Sequence, residues 1–185
     1  DQDRSPIELV NAMTEALKEI GKRFETGEIF LVHLVAAGDA AKRATVEVLE
    51  PLIKKSSQKR ETLGKVVIGT VSGDIHDIGK NIVAMMLFTA GFEVYDIGKD
   101  IPAEEFVKKT REFDADIVAL SALLTTTLPA QRDVIEALKK AGLSEEVEVL
   151  VGGAPATAKW AEEVGADGYG EDAIEAVKIA KKLLG

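Results

Sequence analysis

KVVIGTVSGDIHDIGKNIVAMMLFTAGFEVYDIG, residues 65–98, decides the fold. Its opening run, 65–71, is apolar and rich in β-branched residues, without the polar alternation of a half-exposed strand. That is the pattern of a strand buried on both faces. Residues 79–91 then carry apolar positions at helical spacing and end on Gly91, a residue suited to closing a helix. FEVYDIG, 92–98, is a second strand-like run. Two strands joined through a helix form a parallel βαβ unit.

The alternation continues downstream. Residues 102–113 predict a helix opened by proline, 116–123 a strand, 128–142 a helix ending in glycine, and 146–153 a strand. A helix over 154–166, a short strand over 167–170 and a last helix over 171–185 complete the series. The expectation is an α/β fold with an open, doubly wound, five-stranded parallel sheet of the flavodoxin-like or Rossmann-like kind, order 2-1-3-4-5. Such sheets bind ligands beyond the carboxyl ends of their strands, near the switch point. The loops to search are therefore SGDIHDIG, SALLTTTLP and GGAPAT, after strands 1, 3 and 4.

Upstream the character changes near residue 62. Ser5, Pro6 and Glu8 form a helix start with a capping box, and Leu9, Val10, Met13, Leu17, Ile20 and Phe24 recur at helical spacing. That helix should end near Gly27. A second helix is predicted from Leu31 to Leu49, ended or kinked by Pro51, with polar KKSSQKRE (54–61) as a linker. The domains expected are thus a helical cap with its linker over 1–62 and an α/β domain over 63–185.

Composition narrows the function. The chain has 185 residues, a formal net charge of −9 and no cysteine. The acidic balance argues against nucleic acid as a partner. Lack of cysteine removes disulfides, thiolate chemistry and Cys-ligated zinc. No apolar stretch approaches the roughly 18 residues of a membrane span, and DQDRSPIEL lacks the plan of a signal peptide. A cytoplasmic protein without a membrane partner is expected.

Only two histidines occur, and His76 lies between Asp74 and Asp77 in the first of the three loops. A lone loop histidine is commonly just a surface residue. Here Asp74 is placed to accept a hydrogen bond from one ring nitrogen, which would leave the other with a free lone pair, as in carboxylate-supported metal ligands. A zinc site is disfavoured because no neighbouring His or Cys completes it. A single protein ligand suits a metal that arrives inside a macrocycle. Gly73 and Gly79 keep the loop thin, yet neither dinucleotide nor P-loop pattern is complete, so a plain nucleotide site is disfavoured. Ser121, Thr125, Thr126 and Thr127 interleave hydroxyls with Leu123 and Leu124; they read as turn chemistry or as a lined slot. Gly152 and Gly153 read as a tight turn, or as side chains removed so that a bulky ligand slides between strands. On the second reading, leucine at 153 would block the slot and leave the fold intact.

Asp74-x-His76-x-x-Gly79, then Ser121-x-Leu123, then Gly152-Gly153, in this order and on these loops, resembles the signature of the cobalamin (B12)-binding domain over residues 64–185. The resemblance implies a cobalamin or related cobamide cofactor, with His76 as the lower axial ligand of cobalt in place of the cofactor's own base. It implies that Asp74 hydrogen-bonds His76, and that Thr127 stands where methionine synthase has the serine completing a ligand triad. Gly73, Asp77, Ile78 and Gly79 would complete the cofactor loop. Ser121, Leu123, Thr125, Gly152 and Gly153 would line the slot for the displaced nucleotide tail. Residues 20–44, IGKRFETGEIFLVHLVAAGDAAKRA, resemble the helical cap of corrinoid proteins in methyltransferase systems for methanol, methylamines or methoxylated aromatics. Those caps have four helices and two are legible here, as in a truncated bundle. Phe24, Phe30, Leu31 and Leu34 are expected to form cap core, part of it over the corrin. His33, where the family usually has proline and glutamate nearby in FLPEL, is expected to face the surface or a partner.

The resemblance further implies a methyl carrier cycling between Co(I) and methyl-Co(III). It would be loaded by a donor-specific methyltransferase and unloaded by an acceptor methyltransferase that uses tetrahydrofolate or coenzyme M. No acid, base or substrate pocket for either half-reaction is legible, so the chain reads as a corrinoid subunit and not an enzyme on its own. The cobalamin subunit of an adenosylcobalamin mutase and a B12-dependent sensor share the motif. A phosphoacceptor receiver shares the topology, but needs a lone aspartate where strand 3 runs into SALL.

Overall fold

A computed structural model describes residues 6–49 and 62–185. The chain divides into two compact units, Asp1–Thr62 with Phe88–Gly91, and Leu63–Leu87 with Phe92–Gly185.

The second unit is built on a parallel sheet of β1 (Lys65–Thr70), β2 (Glu93–Asp96), β3 (Ile117–Ser121), β4 (Glu148–Gly152) and β5 (Gly168–Gly170). The order is β2-β1-β3-β4-β5, as expected, with every neighbouring pair parallel. The connecting helices are α3 (Ile78–Ala90), α4 (Ala103–Phe113), α5 (Pro129–Lys140), α6 (Ala158–Val164) and α7 (Ala173–Leu184). Register is pinned at the amino edge by Asp116. Its carboxylate accepts from the Lys65 N–H (2.7 Å), its own N–H donates to the Lys65 carbonyl (2.9 Å), and its carbonyl accepts from Glu148 (2.9 Å).

The β1 run Val66–Thr70 is buried throughout, which explains its unbroken apolar character. On one face Val67, Val118, Leu120, Val149 and Val151 meet Phe106 of α4, Val134, Ile135 and Leu138 of α5, and Val164 of α6. Gly69 makes room for Phe106, since a Cβ there would lie 2.8 Å from the ring's Cζ. A buried Lys80 ties the first turn of α3 to the end of β2 through Asp96 (2.5 Å) and also donates to Asn81 (2.8 Å).

Element ends depart from the sequence expectation where a side chain caps. The helix expected over 154–166 begins only at Ala158, because the Thr157 hydroxyl accepts from the Trp160 N–H (3.1 Å), and it ends at left-handed Gly165. The last helix starts at Ala173, with Asp172 accepting from the Glu175 N–H (2.8 Å).

The helical unit holds α1 (Pro6–Glu25) and α2 (Leu31–Ala44), the latter followed by a π-helical turn, Thr45–Leu49. The second helix is therefore not one α-helix to Leu49: its hydrogen bonding widens after Ala44. The four residues of the expected cap stripe differ in burial. Leu34 is fully buried and Phe24 half-buried, but Leu31 is exposed and Phe30 is 74% exposed. The Phe30 N–H donates to Nδ1 of His33 (3.2 Å), and this local cap holds Phe30 just ahead of the helix beside the His33 ring. His33 is exposed, as expected. Ser5, Pro51 and the 54–61 segment lie outside the described residues. Among the described residues, no helix is long and apolar enough to cross a membrane.

Phe106→Ala should lower stability by about 3–5 kcal/mol, because a fully buried ring would leave a cavity between α4 and Gly69. Urea unfolding followed by circular dichroism checks this; a loss under about 1 kcal/mol would mean the site collapses around the change.

Candidate functional site

The carboxyl edge of the sheet gathers the loops after β1 and β3 around one carboxylate. β1 ends at Thr70, and Ser72 and Gly73 turn the chain. Gly73 has a φ of +82°, a left-handed conformation that glycine adopts without strain. The turn delivers Asp74 into the interior, where its side chain is fully buried. Its Oδ1 accepts from the backbone N–H of His76 (3.0 Å) and lies 2.7 Å from His76 Nδ1. Its Oδ2 accepts from the Thr127 hydroxyl (2.6 Å) and from the backbone N–H groups of Leu123 (2.7 Å) and Leu124 (3.3 Å). Burial pushes the Asp74 carboxyl up. The Thr127 hydroxyl, the N–H groups of His76 and Leu123, and the His76 ring outweigh that and hold it well below the ordinary carboxylate range.

An ionised carboxylate only accepts, so Nδ1 of His76 carries the proton that bridges to Asp74. With Nδ1 so engaged, Nε2 is the ring nitrogen left to act as a ligand, on a side chain 46% exposed. The Thr70 hydroxyl fixes the ring's backbone by donating to the His76 carbonyl (2.9 Å). Large apolar side chains are exposed on the two loops that Asp74 joins. Ile75 and Ile78 flank His76 in the chain, Ile78 being 78% exposed, and Leu123 and Leu124 are also exposed large side chains. A Cβ at Gly79 would meet nothing within 4 Å, so the start of α3 borders free space. Asp77 pairs with Lys99 (3.3 Å) at the edge of this region. Among the described residues, no group of three or more His, Asp or Glu side chains converges as a metal cage.

The other residues singled out in the sequence fall into two groups. Thr127 joins Asp74 directly, and Leu123 does so through its backbone. Ser121 is half-buried at the end of β3, and its carbonyl accepts from the Val71 N–H (3.0 Å); Thr125 and Thr126 are exposed and are not brought to Asp74. Gly152 and Gly153 end β4 opposite Ser121 and Ala122. The expectation that leucine at 153 leaves the fold intact is overturned. Gly153 has a φ of +114°, and a Cβ there would lie 1.8 Å from the Ala122 carbonyl oxygen. The close approach of two backbones requires this glycine.

Sequence reasoning missed Asp100, in the loop after β2. At a left-handed φ of +56°, it accepts from the Gly73 N–H through Oδ1 (2.7 Å) and donates its own N–H to the Asp74 carbonyl (2.9 Å). It clamps the turn that carries Asp74. The only sequence signal was an aspartate after glycine in GKDIP.

Comparison with known proteins agrees with this geometry. A B12 binding domain family matches residues 64–178, and a second B12 binding domain family matches residues 1–49. The chain is 52% identical over 180 residues to dimethylamine corrinoid protein 1 of Methanosarcina acetivorans, covering 97% of this chain and 84% of the relative. It is 54% identical over 168 residues to dimethylamine corrinoid protein 3 of Methanosarcina mazei, covering 91% of this chain and 99% of the relative. Among solved structures it is similar to the methanol:cobalamin methyltransferase complex MtaBC of Methanosarcina barkeri. There the TM-score is 0.86 at 31% identity, over 97% of this chain and 67% of that one. The chain belongs to the family of B12-binding corrinoid proteins.

Asp74→Asn should cost about 1–3 kcal/mol, because an amide NH2 then faces N–H or O–H donors on one side of the buried group. The pH dependence follows from the sign of the shift. A carboxyl held lower in the folded state contributes in full above its unfolded value of about 3.9, and that contribution is lost as pH falls towards the native value. Urea midpoints across the acid range should show a flatter slope for Asp74→Asn than for the parent; equal slopes would remove Asp74 as the acid-sensitive group.

Proposed function

We propose that this chain is the corrinoid-binding methyl carrier of a multi-component methyltransferase. The observation that carries this reading is the buried Asp74 carboxylate holding Nδ1 of His76 at 2.7 Å while the ring stays 46% exposed on a loop that also exposes Ile75 and Ile78. One imidazole on such a loop fits a metal whose remaining ligands come with a large macrocycle, so the residues present suit a cobamide. When bound, that cofactor supplies a cobalt centre able to accept a methyl group and to release it again.

The chain's own work is to bind and orient. His76 Nε2 would hold the cofactor's metal; Asp74 and Thr127 hold the tautomer of its ring, and Thr70 and Asp100 hold the backbone of its loop. Gly73, Asp77, Ile78 and Gly79 would hold the cofactor from the β1 side. Ser121, Leu123, Thr125, Gly152 and Gly153 would hold its nucleotide tail. Residues 1–62 act as the helical cap and linker, and 63–185 as the cofactor domain. The names of the similar proteins favour a methylamine as donor, loaded by a donor-specific methyltransferase. A second methyltransferase, using coenzyme M or tetrahydrofolate, takes the methyl group on. The carrier works in the cytoplasm and has no turnover without these partners.

His76→Ala should still take up cobalamin, with reduced affinity, and lose nitrogen coordination. Electron paramagnetic resonance of the cobalt(II) corrinoid bound to protein carrying 15N-histidine reads this directly. The parent should show a 15N splitting that the variant lacks; an unchanged splitting would remove His76 as the ligand.

A further inference from the structure

We propose that Asp100 is a positioning residue for His76: from the loop after β2 it clamps the turn around Asp74, and so keeps the imidazole in its ligating tautomer before any cofactor is bound. The inference deepens the corrinoid reading above and rests on it.

β1 and β2 pair regularly as far as Ile68 opposite Asp96, and a bridge resumes at Val71 opposite Ile101. The register shifts by two residues between those points, so the β2 side carries extra chain where the two strands end. The Thr70 N–H donates to the Gly98 carbonyl (3.0 Å), and the Thr70 carbonyl accepts from the Ile101 N–H (3.0 Å). Lys99 and Asp100 arch between these two bonds. As a bulge does, the arch re-aims a side chain. Asp100 Oδ1 accepts from the Gly73 N–H (2.7 Å), and the Asp100 N–H donates to the Asp74 carbonyl (2.9 Å).

The backbone shows that the carboxylate matters here. Asp100 is left-handed at a φ of +56°, and Gly98 is left-handed at +98°. Glycine takes such a φ freely, whereas a residue with a Cβ does not. For a turn alone, a second glycine would serve with less strain. What aspartate adds is the acceptor for Gly73. The two groups held by Asp100 lie on either side of Asp74 in the chain, and the Asp74 N–H itself donates to the Val71 carbonyl (3.2 Å). The loop after β3 acts elsewhere, on Oδ2 of Asp74, through Thr127 and Leu123. Without Asp100, Oδ2 would stay bound while Oδ1 could part from His76 Nδ1. Lys99 also reaches this loop, at Asp77 (3.3 Å), but that pair is well exposed and contributes little.

The test is nuclear magnetic resonance of the full chain carrying 15N-histidine, without corrinoid, at a pH where the ring is neutral. The chain has two histidines, and the resonances missing in His76→Ala are those of His76. In the parent the shifts should report a proton on Nδ1 and none on Nε2. Asp100→Ala and Asp100→Gly should move the two shifts towards each other as the tautomers mix. Asp100→Asn keeps an acceptor oxygen and tolerates a left-handed φ, so it should keep the parent shifts. Asp100→Gly decides, because it removes the carboxylate while relieving the backbone. Parent-like shifts in that variant overturn the proposal, whether or not Asp100→Ala folds. Cobalamin titration followed by visible absorption adds a second reading. Asp100→Gly should weaken binding about tenfold, the scale of one or two lost hydrogen bonds, and should cost nothing further in a His76→Ala background. An equal loss in both backgrounds would show a merely structural residue and overturn the proposal. If His76→Ala binds too weakly to measure, the nitrogen shifts decide alone. A parent chain that binds no cobalamin would remove the corrinoid reading and leave the tautomer result standing.

Discussion

A single buried carboxylate organises the carboxyl edge of this sheet. Taking Asp74 out of water is unfavourable, and the cost is offset only because donors converge on both of its oxygens. Those donors come from two loops far apart in sequence. The His76 N–H and ring belong to the loop after β1, whereas Leu123, Leu124 and Thr127 belong to the loop after β3. The ionised group thus joins the two loops, and the joining fixes the imidazole's tautomer. If either loop moved, the carboxylate would be left buried without partners. The geometry of His76 is for this reason inherited from the fold and not left to a flexible surface side chain.

Much of this was legible in the chain, for definite reasons. Strand and helix alternation showed because parallel strands buried on both faces read as unbroken apolar runs, and the order followed from there being five of them. The Asp74–His76 contact was legible because it spans two residues in one turn. Thr127 was reached only through family resemblance: nothing in its local sequence separates it from Thr125 and Thr126, and its burial depends on how the β3 loop folds back. Asp100 and Gln131 were not legible at all. Apart from the Trp160 indole that donates to Gln131, their partners are backbone groups on other segments, and backbone groups leave no mark in a sequence. Helical spacing alone did not separate buried Leu34 from Phe30, whose N–H donates to the His33 ring just ahead of the helix and whose side chain is exposed.

Gly153 shows why a glycine motif carries two meanings at once. A pair of glycines beside a candidate ligand slot invites the view that side chains were removed for the ligand. The 1.8 Å approach of a hypothetical Cβ to the Ala122 oxygen, with the left-handed φ, shows that the polypeptide itself requires the missing side chain. Substitution at 153 therefore disturbs the backbone contact itself, and a loss of binding in such a variant is not by itself evidence of a slot.

The brackets at this edge form a series. Asp100 holds the β1 turn, Asp74 joins β1 to the loop after β3, and Gln131 joins β3 to β4. Each is polar, each uses at least some of its hydrogen-bonding groups on backbone atoms, and Asp74 and Gln131 are wholly buried. Among the side chains exposed on the same loops, Ile75, Ile78, Leu123 and Leu124 are large and apolar, while Thr125 and Thr126 are polar. Large apolar side chains left in water beside buried, fully paired polar groups mark a surface suited to a ligand that covers them. A large flat group that also takes one directed lone pair, as a corrinoid does, meets both conditions.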